Sequence, residues 1–324
     1  MKTRHISTLA AAAVVALSSL SCQSRQEGTI DANGELHGEI SLSGAFALYP
    51  LAVQWATEFR KLHPDVKIDV SAGGAGKGIT DALAQVVDLG MVSRELGEGE
   101  IGKGAVGFAV AKDAVVPTIN TQNPVLSALQ TRGLTRDDVS RLWISQDIGT
   151  WGELVGTDDR TDLVVYTRSD ACGAAETWAA WFGKKQEDLQ GTSVFGDPGV
   201  ATAVQRDVNG IGFNNIGYAY DAKTGKPNPD IVVAPIDVNG NGQIDPEENF
   251  YDTKEQIVKA IAEDRYPSPP ARDLYLVSKG IPTNPVVRAF LRWVLTEGQQ
   301  YTLPQGYIGI GEPKIKKSLE QLGE

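Results

Sequence analysis

A chain of 324 residues, 41% hydrophobic and 22% charged, has the length for two domains and the apolar content to give each a core, which excludes disorder, collagen and a small disulfide scaffold. Thirty Lys and Arg against 41 Asp and Glu leave a formal charge of −11, a balance that repels nucleic acid and anionic membrane surfaces. Three His (His5, His37, His63) and two Cys (Cys22, Cys172) leave no HExxH, no CxxC pair and no cluster with zinc spacing.

Lys2 and Arg4 precede an apolar run from Ile6 to Leu20, the pattern of a secretory signal over residues 1–21. Small residues at Ser19 and Ser21 suit cleavage, and Cys22 directly after them is expected to become an acylated first residue that anchors the protein to a membrane. Ser19 stands where a lipoprotein box carries Leu, so ordinary cleavage to a soluble product is the alternative. Residues 22–37 are polar and contain Gly, as in a flexible tether. No later stretch approaches the ~18 apolar residues of a membrane span. With Cys22 lipidated, Cys172 would be a lone thiol in an oxidising compartment.

GEISLSGA reads as a strand ending in a Gly turn. LYPLAVQWATEFRKLHP follows, with Leu51, Trp55, Phe59 and Leu62 at helical spacing, Pro50 in the first turn and Pro64 at the close. VKIDVSA alternates like a strand, GGAGKG is a loop, and Ile79, Leu83, Val86 and Val87 mark a second amphipathic helix before the strand-like VDLGMVS. VGFAVAKDAVVPTIN is a long β-rich run, and DLVVYTRSDACGAAETWAAWFG repeats strand, Gly-containing turn and helix, with Ala175, Trp178, Ala179 and Phe182 on one face. This alternation predicts an α/β protein with mostly parallel central sheets. Trp55, Trp178, Trp181 and Trp293 are expected in cores, His63 at a helix end on the surface and His37 in the tether.

Three times, at SGAFALYP, SAGGAGKGIT and TRSDACGAAE, a strand runs into a small-residue turn that opens a helix. The unbonded N–H groups of a first helical turn and the positive end of the helix dipole attract an anion, and small side chains let it come close. One such turn is ordinary packing geometry. Three in one chain, with Arg168 at the end of the third strand, point to an oxyanion clamp. GGAGKG is no Walker loop, since Ile79 follows Lys77 and Gly78 where Ser or Thr is needed, and it lacks the GxGxxG pattern with its downstream acid, so nucleotide binding is disfavoured.

Taken in order, SGAFALYPLAVQWATEF, GGAGKG leading to VDLGMVSRE, TRSDACGAAETW, AVQRDVNGIGFNNIGYAYD, YPSPPARDLYLVSKG and FLRWVLTEGQQYTLPQGYIGI resemble successive blocks of the phosphate-binding protein family of phosphate ABC transporters. The likeness spans residues 38 to 312. It implies a two-lobed, type II-like periplasmic binding protein, each lobe a mixed, mostly parallel sheet flanked by helices, with residues 38–112 and 268–324 in lobe I and 113–267 in lobe II. The chain would cross between lobes near residues 110 to 116 and return near 264 to 274. The implied protein is a monomer without enzymatic activity, exported to the periplasm or cell envelope. It captures a tetrahedral oxyanion, phosphate first, between its lobes and delivers it to a membrane permease.

Carried over by position, the resemblance is incomplete. Where the family's first turn offers a Thr hydroxyl and the next N–H, this chain has Ala47 and Leu48; where the second loop supplies a Ser hydroxyl it has Ala75, followed by Gly76 and Lys77. Ser93 and Arg94 stand near the Asp that accepts a proton from monoprotonated phosphate. Arg168 and Asp170 are kept, while a Ser, Gly, Thr trio reads Cys172, Gly173, Ala174. Losing hydroxyls would retune selectivity as well as affinity, and gaining Arg94 while losing the proton-accepting carboxylate would favour a more fully charged or less protonated anion, leaving sulfate-like, arsenate-like and organic oxyanions open.

DVNGNGQIDPEE meets the calcium-loop template at every ligand position: Asp237, Asn239, Asn241, Gln243 through its carbonyl, Asp245 and Glu248, with Gly242 at the tight turn. An Asx-rich surface loop is the alternative. Because PDIVVAPI before it reads as a strand, a structural Ca2+ clip fits better than a helix-flanked sensor. Two other readings of the chain stay open. One is a thiol-dependent phosphoester hydrolase using Cys172, weakened by the lack of a partnering His; the other is a calcium-stabilised envelope interaction module.

Overall fold

The computed structural model describes residues 28–323; the expected signal segment 1–21, Cys22 and the tether up to residue 27 lie outside them. Ten strands are joined through mixed pairing: β1 Thr29–Ile30, β2 Leu36–Gly44, β3 Val66–Ala72, β4 Leu89–Val92, β5 Ala105–Asn120, β6 Val164–Arg168, β7 Thr192–Val194, β8 Gly210–Asn215, β9 Ile231–Val233 and β10 Ala271–Lys279. β3 and β4 both run parallel to β2, and β7 and β8 both run parallel to β6, as strand–helix–strand connections require. The antiparallel pairings gather on β5 and β10. β10 lies between β4 and β5, and the far half of β5 pairs with β8 and β9. The sheets are therefore mixed rather than mostly parallel, because two long strands serve both lobes.

β5 explains that arrangement. Most of its sixteen residues are buried without alternation, the signature of a strand covered on both faces, although Lys112 and Asp113 interrupt its apolar run. One core gathers residues from Leu36 to Ala111 and from Leu274 to Leu322. A second gathers Ala114 to Tyr266 together with Ala271 and Ile308. The chain passes from one core to the other between Ala111 and Ala114 and comes back between Ala271 and Leu274.

The helix Tyr49–Leu62 buries Leu51, Trp55 and Phe59, and the Trp55 indole donates to the Gly298 carbonyl at 2.8 Å; Leu62 faces solvent. The second helix, Ala75–Leu83, stops earlier than its apolar spacing suggests. Gln85 takes a left-handed φ of 56°, the Val86 N–H turns back to the Asp81 carbonyl at 2.8 Å, and Val86 is exposed. The Gly spacing in this segment has a packing cause: Gly44, Gly78 and Gly90 meet backbone to backbone, and a Cβ on Gly78 would lie 3.0 Å from the Gly44 Cα. In the third such helix, Gly173–Ala180, Ala175, Trp178 and Ala179 are buried.

Residues 28–37 belong to the fold, not to a tether. β1 pairs with the start of β2, Gly28 packs against Asn284 and Val286, and His37 sits in β2 beside Asp31 and Asp65 at 3.4 and 3.5 Å. His63 ends the first helix with its ring on Phe59, centroids 4.5 Å apart. Among the described residues no helix is long and apolar enough to cross a membrane.

Candidate functional site

β6 ends on Arg168, whose side chain is fully enclosed. Its Nε and Nη2 donate to Asp170 at 2.8 and 2.6 Å, and its Nη1 donates to Asp197 at 2.7 Å. Both carboxylates are tied down in turn: Asp170 accepts the Gly196 N–H at 3.0 Å and Asp197 the Asn215 N–H at 2.9 Å. Burial alone would discharge Arg168, but Asp197, with Asp170, overrides it and raises the guanidinium pKa well above its ordinary value. Burial likewise works against the Asp170 carboxylate, and the Arg168 hydrogen bonds override it, holding its pKa below the usual range.

All three small-residue turns meet here. From the first, Phe46 covers the guanidinium with its ring centroid 5.7 Å from the central carbon, packs edge-on to Phe195, and accepts the Tyr218 hydroxyl on its carbonyl at 3.2 Å. From the second, the Gly76 N–H donates across the crevice to the Ala171 carbonyl at 3.0 Å. In the third, Gly173 touches Ser93 so closely that a Cβ on it would overlap the Ser93 hydroxyl and carbonyl. The amides of Gly173 and Ala174 open their helix and so have no carbonyl one turn earlier within it to bond. Because two carboxylates already balance Arg168, attraction for an anion rests on aimed backbone dipoles and on the guanidinium donors that remain of its five.

The sequence-derived residues divide into two groups. Gly76, Ser93, Arg168, Asp170 and Gly173 come into contact where the turns meet, and Ala47, Leu48, Ala75, Cys172 and Ala174 are buried in the same three turns. The Ala47 carbonyl accepts the Tyr307 hydroxyl at 2.7 Å, and the Leu48 N–H closes a turn on the Ala45 carbonyl at 3.1 Å instead of standing free. Lys77 and Arg94 are spent on acids of their own lobe. Lys77 pairs with Asp81, and Arg94 holds Glu100 through both terminal nitrogens at 2.9 and 2.7 Å. With Arg94 so engaged, only the missing proton-accepting carboxylate still supports a less protonated anion.

Phe46, Asp197, Asn215, Tyr218 and Arg272 were not singled out in the sequence. Phe46 carried a signal, as an aromatic side chain directly after three small residues; Asp197, in the first turn of the helix Gly196–Arg206, carried a weaker one.

Cys172 caps its helix, its Sγ accepting the Ala175 N–H at 3.4 Å. Burial pushes its thiol up to about 12, Arg168 pulling the other way, so the thiolate a nucleophile needs is scarce at neutral pH. A thiol reagent at pH 8 should label Cys172 in native protein at least about a hundredfold more slowly than in urea; equal rates would show an activated cysteine.

The loop from Asp237 to Glu248 is closed by its two end carboxylates. Asp237 accepts the N–H groups of Gly240 and Gly242 at 2.7 and 2.8 Å, and Glu248 those of Val238, Asn239 and Asp245 at 2.9, 3.1 and 3.2 Å. Gly240 and Gly242 have φ of 73° and 83°, values that favour Gly. Asn239, Asn241 and Gln243 turn their amide nitrogens to Asp245. Among the described residues no three His, Cys, Asp or Glu side chains are grouped to hold a metal.

A family model described as a PBP superfamily domain matches residues 26–297. The phosphate-binding protein PstS of Pseudomonas aeruginosa is 27% identical over 312 residues, covering 88% of this chain and 87% of that protein; PstS of Bacillus subtilis is 25% identical over 301 residues, covering 91% and 89%. Among solved structures, a Clostridium perfringens substrate-binding protein with bound phosphate aligns with TM-score 0.69 at 22% identity, over 85% of this chain and all of that one. An ABC-type phosphate transport receptor of Vibrio cholerae aligns with TM-score 0.60 at 20% identity, over 84% and 100%. Two α/β lobes sharing crossing strands, and the family match over most of their length, give one conclusion: the chain belongs to the PBP superfamily of binding proteins.

Proposed function

We propose that this protein captures a tetrahedral oxyanion, phosphate first, between its lobes and delivers it to the permease of an ABC importer, without catalysing a reaction. The observation that carries the reading is the meeting of three helix-opening turns from both lobes around buried Arg168. The phosphate-binding names of the relatives favour phosphate over other oxyanions. A high thiol pKa argues against a hydrolase using Cys172. Calorimetric titration with phosphate, sulfate and arsenate tests the proposal: one site with phosphate preferred is expected, and no heat or melting shift with any oxyanion would refute it.

The same reading places the protein outside the cytoplasm, held by a lipid on Cys22. Mass spectrometry of the envelope-extracted protein should find a diacylglyceryl group on that residue.

For the loop Asp237–Glu248 we propose a structural Ca2+ held by Asp237, Asn239, Asn241, the Gln243 carbonyl, Asp245 and Glu248. All are oxygen donors at the template spacing, and the two positive-φ glycines give the turn that wraps a large ion. Calcium should raise the melting temperature of the wild-type protein by a few degrees and chelator should reverse it. Asp237→Asn should remove that increment; an increment that survives the substitution would remove the metal from the account.

A further inference from the structure

Where the lobes join, two side chains face each other on neighbouring strands. Asp113 of β5 is in register with Arg272 of β10, and both are buried. Neither carboxylate oxygen of Asp113 has a hydrogen-bond partner; Arg272 Nη1, also without one, stands 3.6 Å away. The other donors of Arg272 leave the crossing in two directions. Nε donates to the Ser93 carbonyl at 3.3 Å, at the end of β4, and Nη2 donates to the Asn215 side-chain oxygen, at the end of β8. Ser93 packs on Gly173, and Asn215 donates its N–H to Asp197, which holds Arg168. One guanidinium rooted in the strands common to both lobes therefore touches both walls of the crevice.

We propose that Arg272 is a positioning residue that couples lobe closure to anion capture, anchored at the crossing by Asp113. Only the identity of the ligand rests on the oxyanion reading. When the lobes part, Ser93 and Asn215 separate, and a rigid planar fork cannot keep hold of both. The full set of contacts exists only in the closed arrangement, so Arg272 shifts the balance toward closure, and the route through Asn215 and Asp197 brings Arg168 into place as closure occurs. Burial works against the Asp113 charge and pushes its carboxyl up to about 6, while Arg272 opposes that shift; Asp197 and Lys254 are the other charges that act on it. Lysine at position 272 would keep a cation opposite Asp113 but lacks the fork that spans both walls.

The test places one label on exposed Asp69 and one on exposed Glu187, each through an introduced cysteine, and measures the inter-lobe distance distribution with and without inorganic phosphate. In ligand-free protein, Arg272→Lys and Asn215→Ala should both move the distribution toward longer distances. Phosphate affinity should fall about tenfold or more, because the closed state is less populated, and the melting temperature of Arg272→Lys should change by only a few degrees. Unchanged distances in both variants, or lost affinity with an unchanged distribution, would overturn the clamp. If the wild-type protein binds no oxyanion but the variants still open, the clamp stands and the oxyanion reading fails; if the wild type binds phosphate and the variants neither open nor weaken, the reverse holds.

Discussion

Arg168→Gln is expected to lose oxyanion binding altogether and about 3–5 kcal/mol of stability, the usual cost of removing one partner from a buried ion pair. The substitution leaves Asp170 and Asp197, both buried, without the cation that three hydrogen bonds of 2.6 to 2.8 Å now supply. In a chain of this size the fall in melting temperature should be roughly 10 °C, measurable by calorimetry. Adding Asp197→Asn to Arg168→Gln should recover part of the stability, since one orphaned charge is gone, but none of the binding. If Arg168→Gln kept its phosphate affinity within about twofold, the guanidinium would have no part in capture.

Gly173→Ala separates closure from folding. The new methyl would collide with the Ser93 hydroxyl and carbonyl, which belong to the opposite lobe, whereas Gly173 sits at a helix start where Ala is well tolerated. Each lobe should fold with near-normal stability, but the crevice could not shut. Overpacking of this kind costs about 1–3 kcal/mol, which charged to the closed state lowers affinity by about ten- to a hundredfold. Titration calorimetry reads the loss. Gly78→Ala makes the contrasting case, because its collisions with Met91 and Gly44 lie inside one lobe and should reduce the melting temperature directly.

Much of the fold was legible because several helices are amphipathic and three strands run into turns of small residues. Leu51, Trp55 and Phe59 marked one helix, and the β-rich run of residues 106–120 marked the long strand but not its burial on both faces. The second helix misled, since Val86 and Val87 continue its apolar spacing past the point where Gln85 reverses the chain. Periodicity cannot see a backbone reversal that carries no Gly or Pro. At the crevice, the turns and Arg168 could be read from local pattern, whereas Asp197, Asn215 and Arg272 could not. They come from segments far apart in sequence and act through pairings that only the sheet order creates. Arg94 and Lys77 show the converse limit: a cation beside a Gly-rich turn is available to a ligand only if no acid a few residues away claims it first.

The place of β10 between β4 and β5 bears on the order in which the molecule can assemble. Apart from Ala271 and Ile308, the second core is drawn from the one stretch between Ala114 and Tyr266 and can largely form once that stretch has been synthesised. The lobe that begins the chain must wait for the segment after residue 270 to wedge between two strands already made, a long-range pairing that closes late. Until then both flanks of the gap offer open backbone to any neighbouring chain, so the lobe that is first to be synthesised is last to be safe from aggregation.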